Sequence, residues 1–414
     1  MLTKLKRDFR GRRAITLLAI KSLSVLALFY LNILAANHSS ETEFGLFGIA
    51  LSGCNILALL CLWGNERQIV KDSSTSNSQE SYIYSKTNAI ILLMLTIPFF
   101  SIYLAHTGQS LSSTVASVAL VAFMCFMRIE NSLKKAHDEI IFSESISTLL
   151  RPTVTIIALY ALLVFNFELL SSSLLICFGI GYIISALALS RSLKFTSKMQ
   201  APSLSKFKIS NQKNIDQMLL SIAFPLLNNL DILVVGLILP PEETAGYFAC
   251  TRVVFLIQSA NSVLNNLIIS RIAKLYESRN YVELNYIIKK NNYVTHTYSF
   301  IAIILIAFFS RTILGLFGDS YKEYQALLCL LAVGQLTSVI CGPTNLVSSL
   351  VGAQKSAARI AIFFCIAQII LCFLLASKFG VHGAAISTLF CIFGSNFLVT
   401  RLLRRQYSIR TTLF

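Results

Sequence analysis

Residues 14–48, AITLLAIKSLSVLALFYLNILAANHSSETEFGLFG, follow the basic start MLTKLKRDFRGRR and set the pattern of the whole chain. The apolar run from Ala14 to about Ala36 is long enough to cross a ~30 Å hydrocarbon core as a helix rising ~1.5 Å per residue. It exceeds the roughly 7–15 residues of a signal-peptide core, so it reads as an uncleaved first span. A short acidic connection, Asn37 to Glu43, then leads straight into a second apolar run.

This alternation continues to the end of the chain. Stretches of roughly 17–25 apolar residues fall at 14–36, 44–63, 88–106, 111–129, 149–167, 171–190, 217–239, 246–270, 292–309, 324–342, 359–377 and 383–400. They predict an all-α membrane protein with twelve transmembrane helices. Of the 35 Lys and Arg residues, about thirty lie in the N-terminus, the even-numbered loops and the C-terminus. The odd-numbered loops hold only Arg311, Lys322 and Lys378, while Lys21 and Arg252 fall inside spans. Cytoplasmic loops retain cations during insertion, which places both termini in the cytoplasm. The basic loop 191–216 then links an N-terminal six-helix lobe, 1–190, to a C-terminal one, 217–414.

Composition agrees with this reading: 55% of residues are hydrophobic, only 13% are charged, and mean hydropathy is +0.69. The net charge of +16 argues for facing anionic lipid rather than nucleic acid, because the cations flank spans on one side. All ten cysteines lie in predicted spans without a C-x-x-C pair, and the five histidines lack ligand spacing. They read as packing residues, with no disulfide, metal or cofactor expected.

The two lobes carry a candidate repeat. Glu43-Phe44-Gly45-Leu46-Phe47-Gly48 follows span one, and Ala245-Gly246-Tyr247-Phe248-Ala249 follows span seven. Gly45 aligns with Gly246 and Phe47 with Phe248 at one offset. Parallel six-span repeats suit alternating access around a site between the halves.

Charges inside a span cost ~2.5–3.5 kcal/mol even on the insertion scale, so they face partners or cavities. Asp231 and Arg252 sit at similar depth on either side of the short Pro240–Ala245 loop. They therefore form either a structural ion pair or a cavity cation beside a titratable carboxylate. On span eight, Arg252, Ser259, Ser262, Asn266 and Ser270 share one helical face, flanked by Gln258, Asn261 and Asn265. Span seven adds Ser221, Asn228 and Asn229, with Pro225 weakening its hydrogen-bond ladder. Polar residues bridge helices as well, but eight on one span favour a water-lined surface. Lys21 either snorkels to the cytoplasmic edge or faces the same cavity. A cavity with Lys21 and Arg252 suits an anion such as phosphate. The expected binding residues are Lys21, Arg252, Asp231, Asn228, Ser259 and Asn266. Ile272 to Lys290 is either an interfacial extension of span eight or a solvated linker. His137-Asp138-Glu139 with Glu144 reads as a solvated acidic loop.

Several stretches together resemble the polysaccharide transporters, the O-antigen flippase family of the multidrug/oligosaccharidyl-lipid/polysaccharide exporter superfamily. They are Glu43-Phe44-Gly45-Leu46-Phe47, Gly64-Asn65-Glu66-Arg67-Gln68-Ile69-Val70-Lys71, Leu316-Phe317-Gly318-Asp319-Ser320-Tyr321, Ala332-Val333-Gly334-Gln335 and Leu350-Val351-Gly352-Ala353-Gln354-Lys355. The resemblance implies a two-lobed flippase in the bacterial inner membrane that carries an undecaprenyl-pyrophosphate-linked oligosaccharide to the periplasmic leaflet. It also implies polysaccharide polymerase and chain-length regulator partners. Lys21 and Arg252 match the family's habit of basic residues in cavity helices, and Asp231 an acidic position late in span seven. Protonation of Asp231 would then release Arg252 and couple the cycle to protons. Two rival readings are a multidrug and toxin extrusion exporter and a membrane polymerase or ligase. The latter is disfavoured because outward loops of under about a dozen residues cannot build a catalytic platform.

Overall fold

A computed structural model describes residues 2–71, 78–137, 139–191 and 215–412. Nearly all of the expected linker 191–216, and Asp138 of the acidic cluster, lie outside the described residues. The helices are α1 (Leu2–His38), α2 (Glu41–Leu62), α3 (Asn65–Lys71), α4 (Ser78–His106), α5 (Leu111–Ala136), α6 (Ile140–Glu144), α7 (Arg151–Val164), α8 (Ser171–Arg191), α9 (Ile215–Leu227), α10 (Leu230–Ile238), α11 (Pro241–Glu277), α12 (Tyr281–Gly315), α13 (Gln325–Ile340), α14 (Thr344–Leu350) and α15 (Gln354–Tyr407). A π turn, Ser145–Leu150, joins α6 to α7, and a 3₁₀ turn, Ser320–Tyr324, precedes α13.

Ten of the described helical stretches are long and apolar enough to cross a membrane, or eleven if a bent pair counts as one span. The protein is a multi-pass membrane protein. Large apolar side chains such as Phe99, Leu111 and Phe308 are exposed, as lipid-facing residues are in a bilayer.

Two departures from twelve straight spans have local causes. Expected span seven is broken: Ser221–Leu227 and Leu230–Ile238 meet at a 45° bend. Pro225 supplies no N–H, and the break at Asn228–Asn229 strands further carbonyls. Those two side chains satisfy them, Asn228 Nδ2 donating to Phe224 O at 2.8 Å and Asn229 Nδ2 to Pro225 O at 2.9 Å. In the opposite sense, 359–377 and 383–400 lie on one 54-residue helix, α15, interrupted at Gly380 with φ 58° and ψ −143°. Residues twenty apart in a straight helix are separated by ~30 Å, yet Gln368 Nε2 donates to Thr388 Oγ1 at 3.3 Å. The chain therefore doubles back at Gly380, whose positive φ suits a residue without Cβ.

Ile272 to Lys290 divides between an extension of span eight, a tight turn and the start of α12. Span eight continues unbroken to Glu277, and α12 starts again at Tyr281 after a tight turn with Arg279 at φ 56°.

The fold comprises two compact units, Met1–Leu31 with Gly53–Ile215, and Asn32–Ser52 with Asp216–Phe414. In the first, α5 packs on α8 through buried Leu120, Val121, Met124, Leu174 and Leu175. Cysteine thiols add interhelical contacts, Cys54 to Ser117 O at 3.4 Å and Cys125 to Ala58 O at 3.9 Å. All ten cysteines are free thiols.

In the second unit the aligned glycine–aromatic motifs meet. Phe248 packs edge-on against Phe44 (5.4 Å between ring centres) and Phe47 (6.1 Å). Tyr321 joins at 6.1 Å from Phe44, and Phe317 at 6.2 Å from Tyr321. Such tilted and edge-on pairs each add ~0.5–1.5 kcal/mol beyond area burial. Gly45 permits the approach, because a Cβ there would collide with the Pro241 carbonyl. Thr42 Oγ1 also donates to Glu242 Oε1 at 2.5 Å. Residues 32–52 therefore group with the second unit even though they precede most of the first.

Candidate functional site

The bend in span seven places Asp231 in the first turn of α10, where the helix's free N–H groups favour an acceptor. The carboxylate is buried, 3% exposed, and its oxygens are engaged inside the unit. Oδ1 accepts from Ile232 N at 2.9 Å. Oδ2 accepts from Tyr247 Oη at 2.7 Å and Thr388 Oγ1 at 3.2 Å. Asp231 thus ties α10 to α11 and to the second leg of α15.

Arg252 is not its ion-pair partner, and among the described residues no salt bridge joins the two. The guanidinium lies over the Phe248 ring at 4.4 Å and 6.0 Å from Phe255, while its buried Nε lacks a hydrogen-bond partner. The direct ion pair expected as one reading of the sequence is therefore not formed, although the two charges still act on each other through space. The proton-driven release of Arg252 from Asp231 has no direct bond to break. The physical reason is that two neutral hydroxyls and a backbone amide satisfy the carboxylate at lower desolvation cost than a second buried charge.

The polar strip of span eight divides. Gln258 Nε2 donates to Asn228 Oδ1 at 3.0 Å. Asn261 exchanges hydrogen bonds with Ser299 at 2.8 and 3.2 Å, and Asn291 donates to Asn265 at 2.7 Å. These residues bridge helices. Ser259 is half-buried, whereas Ser262 and Asn266 are exposed on the same helical face as Arg252. Asn228 is thus a brace of the bend, and the open polar face consists of Arg252, Ser259, Ser262 and Asn266. Nothing is described of the Ser270 side chain.

Lys21 belongs to the first unit. Half-buried, it approaches Glu144 on α6 (Nζ to Oε2, 3.9 Å) rather than extending freely. Sequence reasoning passed over Glu144 as part of a solvated loop, yet it is buried and also takes Lys135 Nζ at 2.7 Å. A second missed cluster is Glu130, 1% exposed, which accepts from Tyr82 and pairs with Lys86 at 3.0 Å. The i, i+4 spacing of Tyr82 and Lys86 was the available signal, but their partner is 44 or more residues away along the chain. Among the described residues no group of three or more His, Cys, Asp and Glu could hold a metal ion.

Comparison with known proteins places this geometry in a family. The model described as "Polysaccharide biosynthesis protein" matches residues 11–268, and the MatE model matches 218–374. No curated protein matches the chain in sequence. A multidrug resistance MATE family transporter of the MOP superfamily, solved inward-facing, superposes with a TM-score of 0.73 at 14% identity, over 95% of this chain and 98% of its own. The lipid II flippase MurJ, inward closed, gives 0.74 at 12% identity, over 94% and 87%. A MOP superfamily transporter from Pyrococcus furiosus gives 0.63 at 14%, over 95% of each chain. At such identities the likeness is one of fold.

Proposed function

This chain belongs to the polysaccharide biosynthesis protein family, and from that premise we propose that it is a flippase for a lipid-linked oligosaccharide. In this reading it carries an undecaprenyl-pyrophosphate-linked surface-polysaccharide repeat from the cytoplasmic to the periplasmic leaflet of a bacterial inner membrane, without changing it chemically. The chain crosses twelve times, counting the bent span seven as one crossing and the two legs of α15 as two, with both termini in the cytoplasm. Alternating access is supported by relatives of this fold solved inward-facing and outward-facing.

One observation carries the anionic substrate: Arg252, within a span, has no carboxylate partner while the nearby Asp231 is satisfied by hydroxyls. A guanidinium held in low dielectric without a hydrogen-bonded acceptor is a strong site for a phosphate oxygen. Lys21 supplies a point charge in the first unit. Moving negative charge outward is also favoured by an inside-negative potential, by ~2.3 kcal/mol per charge per 100 mV.

In vesicles loaded with a fluorescent undecaprenyl-pyrophosphate oligosaccharide, Arg252→Ala should slow translocation by about tenfold or more, with Arg252→Lys intermediate. Wild-type rates in Arg252→Ala would remove the anion assignment.

A second reading, a MATE-type exporter of amphipathic cations, is favoured by the MatE match across Asp231. It predicts that expression confers resistance to cationic dyes and that Asp231→Asn abolishes it.

A further inference from the structure

Two adjacent lysines close α5, where cations favourably meet the negative end of a helix. Successive side chains on a helix point about 100° apart, so the two find different partners. Lys134, 1% exposed, gives Nζ to Glu139 Oε2 at 2.9 Å. Lys135 gives Nζ to Glu144 Oε1 at 2.7 Å, and the other oxygen of Glu144 lies 3.9 Å from Lys21 Nζ. One carboxylate thus stands between lysines of α1 and α5.

The two contacts differ in kind. The first is a close ion pair at 2.7 Å, while the second is a longer Coulomb contact at 3.9 Å. The exposures differ as well: the Glu144 side chain is 10% exposed, the two lysine side chains 31% and 30%. The carboxylate is the more buried partner and the two lysine side chains the more exposed ones. The surroundings hold the lysines in place. Ser24, one turn beyond Lys21, donates to Thr148 O at 2.6 Å in the π turn that follows Glu144. Asn131, with its amide oriented to satisfy its neighbours, accepts from Lys135 Nζ at 3.1 Å and donates to Ser143 O at 3.2 Å. π turns recur at functional sites.

We propose that Lys21 and Lys135 form a two-lysine phosphate-binding site in the first unit, and that Glu144 is its resident counter-ion, which an arriving phosphate group displaces. A pyrophosphate carries more negative charge than one carboxylate, and its oxygens are spread over two phosphorus atoms. It can therefore engage both ammonium groups closely, where Glu144 closely contacts only one. When the site is empty, Glu144 compensates the charge of the lysine pair; when it is filled, Glu144 repels the ligand and keeps binding weak enough for release. The identity of the ligand as a lipid headgroup rests on the flippase reading, whereas the anion chemistry does not.

The test is isothermal titration of the protein in phosphatidylcholine nanodiscs with inorganic pyrophosphate and, separately, with farnesyl pyrophosphate. All measurements use an Arg252→Ala background, so that only the first unit's cations report. Glu144→Gln should bind pyrophosphate roughly tenfold tighter and Lys135→Gln roughly tenfold weaker. Tighter binding of the farnesyl form identifies a lipid headgroup as the source, and equal binding a free phosphate. Both support the site. Unchanged affinity in folded Glu144→Gln and Lys135→Gln overturns it. If Glu144→Gln fails to fold, Lys21→Gln removes the second ammonium group and leaves the 2.7 Å Lys135–Glu144 pair intact. That variant should still bind about tenfold more weakly than the Arg252→Ala parent, and parental affinity overturns the proposal. Failure of glycolipid transport by the protein with Arg252 in place, with these binding changes intact, would count against the flippase reading alone.

Discussion

Removing the Tyr247 hydroxyl tests how Asp231 is held. Tyr247 is fully buried at 0% exposure and donates to Asp231 Oδ2 at 2.7 Å. Tyr247→Phe deletes one donor without changing the packing shape and leaves Ile232 N and Thr388 Oγ1 on the carboxylate. A hydrogen bond to a charged group contributes ~1.5–3 kcal/mol, a neutral one nearer ~1 kcal/mol. For a body of roughly 150–250 residues each kcal/mol shifts the unfolding midpoint by ~2–4 °C, so the loss should be about 5 °C. In an Asp231→Asn background the same change should cost about half as much, leaving a coupling of ~1 kcal/mol. Arg252→Ala should couple to Asp231→Asn more weakly than Tyr247→Phe does, because no ion pair connects Arg252 to Asp231. The assay is thermal unfolding of detergent-purified variants followed by size-exclusion chromatography, run as two double-mutant cycles. The reasoning is refuted if Tyr247→Phe is silent, or if Asp231 couples more strongly to Arg252 than to Tyr247.

Gly45→Ala should lower the same midpoint, since its new methyl meets the Pro241 backbone carbonyl and overpacking costs ~1–3 kcal/mol. Gly179→Ala, whose Cβ would stand 3.6 Å from the Phe123 ring, should be close to neutral. For topology, a cysteine at Lys378, just before the Gly380 reversal, should react with a membrane-impermeant maleimide from outside intact cells, and one at Lys355 only after permeabilisation. In both cases the background first has its native cysteines replaced. The opposite labelling pattern would invert the chain in the membrane.

Much of the fold was legible because insertion physics acts on local sequence. Apolar length and the side on which cations fall are properties of consecutive residues, so a helical multi-pass protein follows from composition and order alone. The Gly45/Phe47 and Gly246/Phe248 motifs were also visible, as was the weakness of span seven at Pro225. Partner choice was less legible. Asp231 and Arg252 lie 21 residues apart across a short loop, and sequence proximity suggested an ion pair. Thr388, 157 residues from Asp231 along the chain, takes part of that role instead. Glu144 looked solvated because its neighbours are polar in sequence, yet Lys21 and Lys135 converge on it in space.

The sequence by itself determined that this chain is helical, lives in a membrane and carries a few charges that a bilayer does not tolerate idly. Only the tertiary structure decided which of those charges are already spent. Burial penalises any unpartnered polar group, so Asp231 is satisfied by whichever donors the packing brings within reach, and these come from helices far apart in the chain. Arg252, lying on Phe248 with its Nε unpartnered, is a cation within a span that this packing leaves without a hydrogen-bonded acceptor.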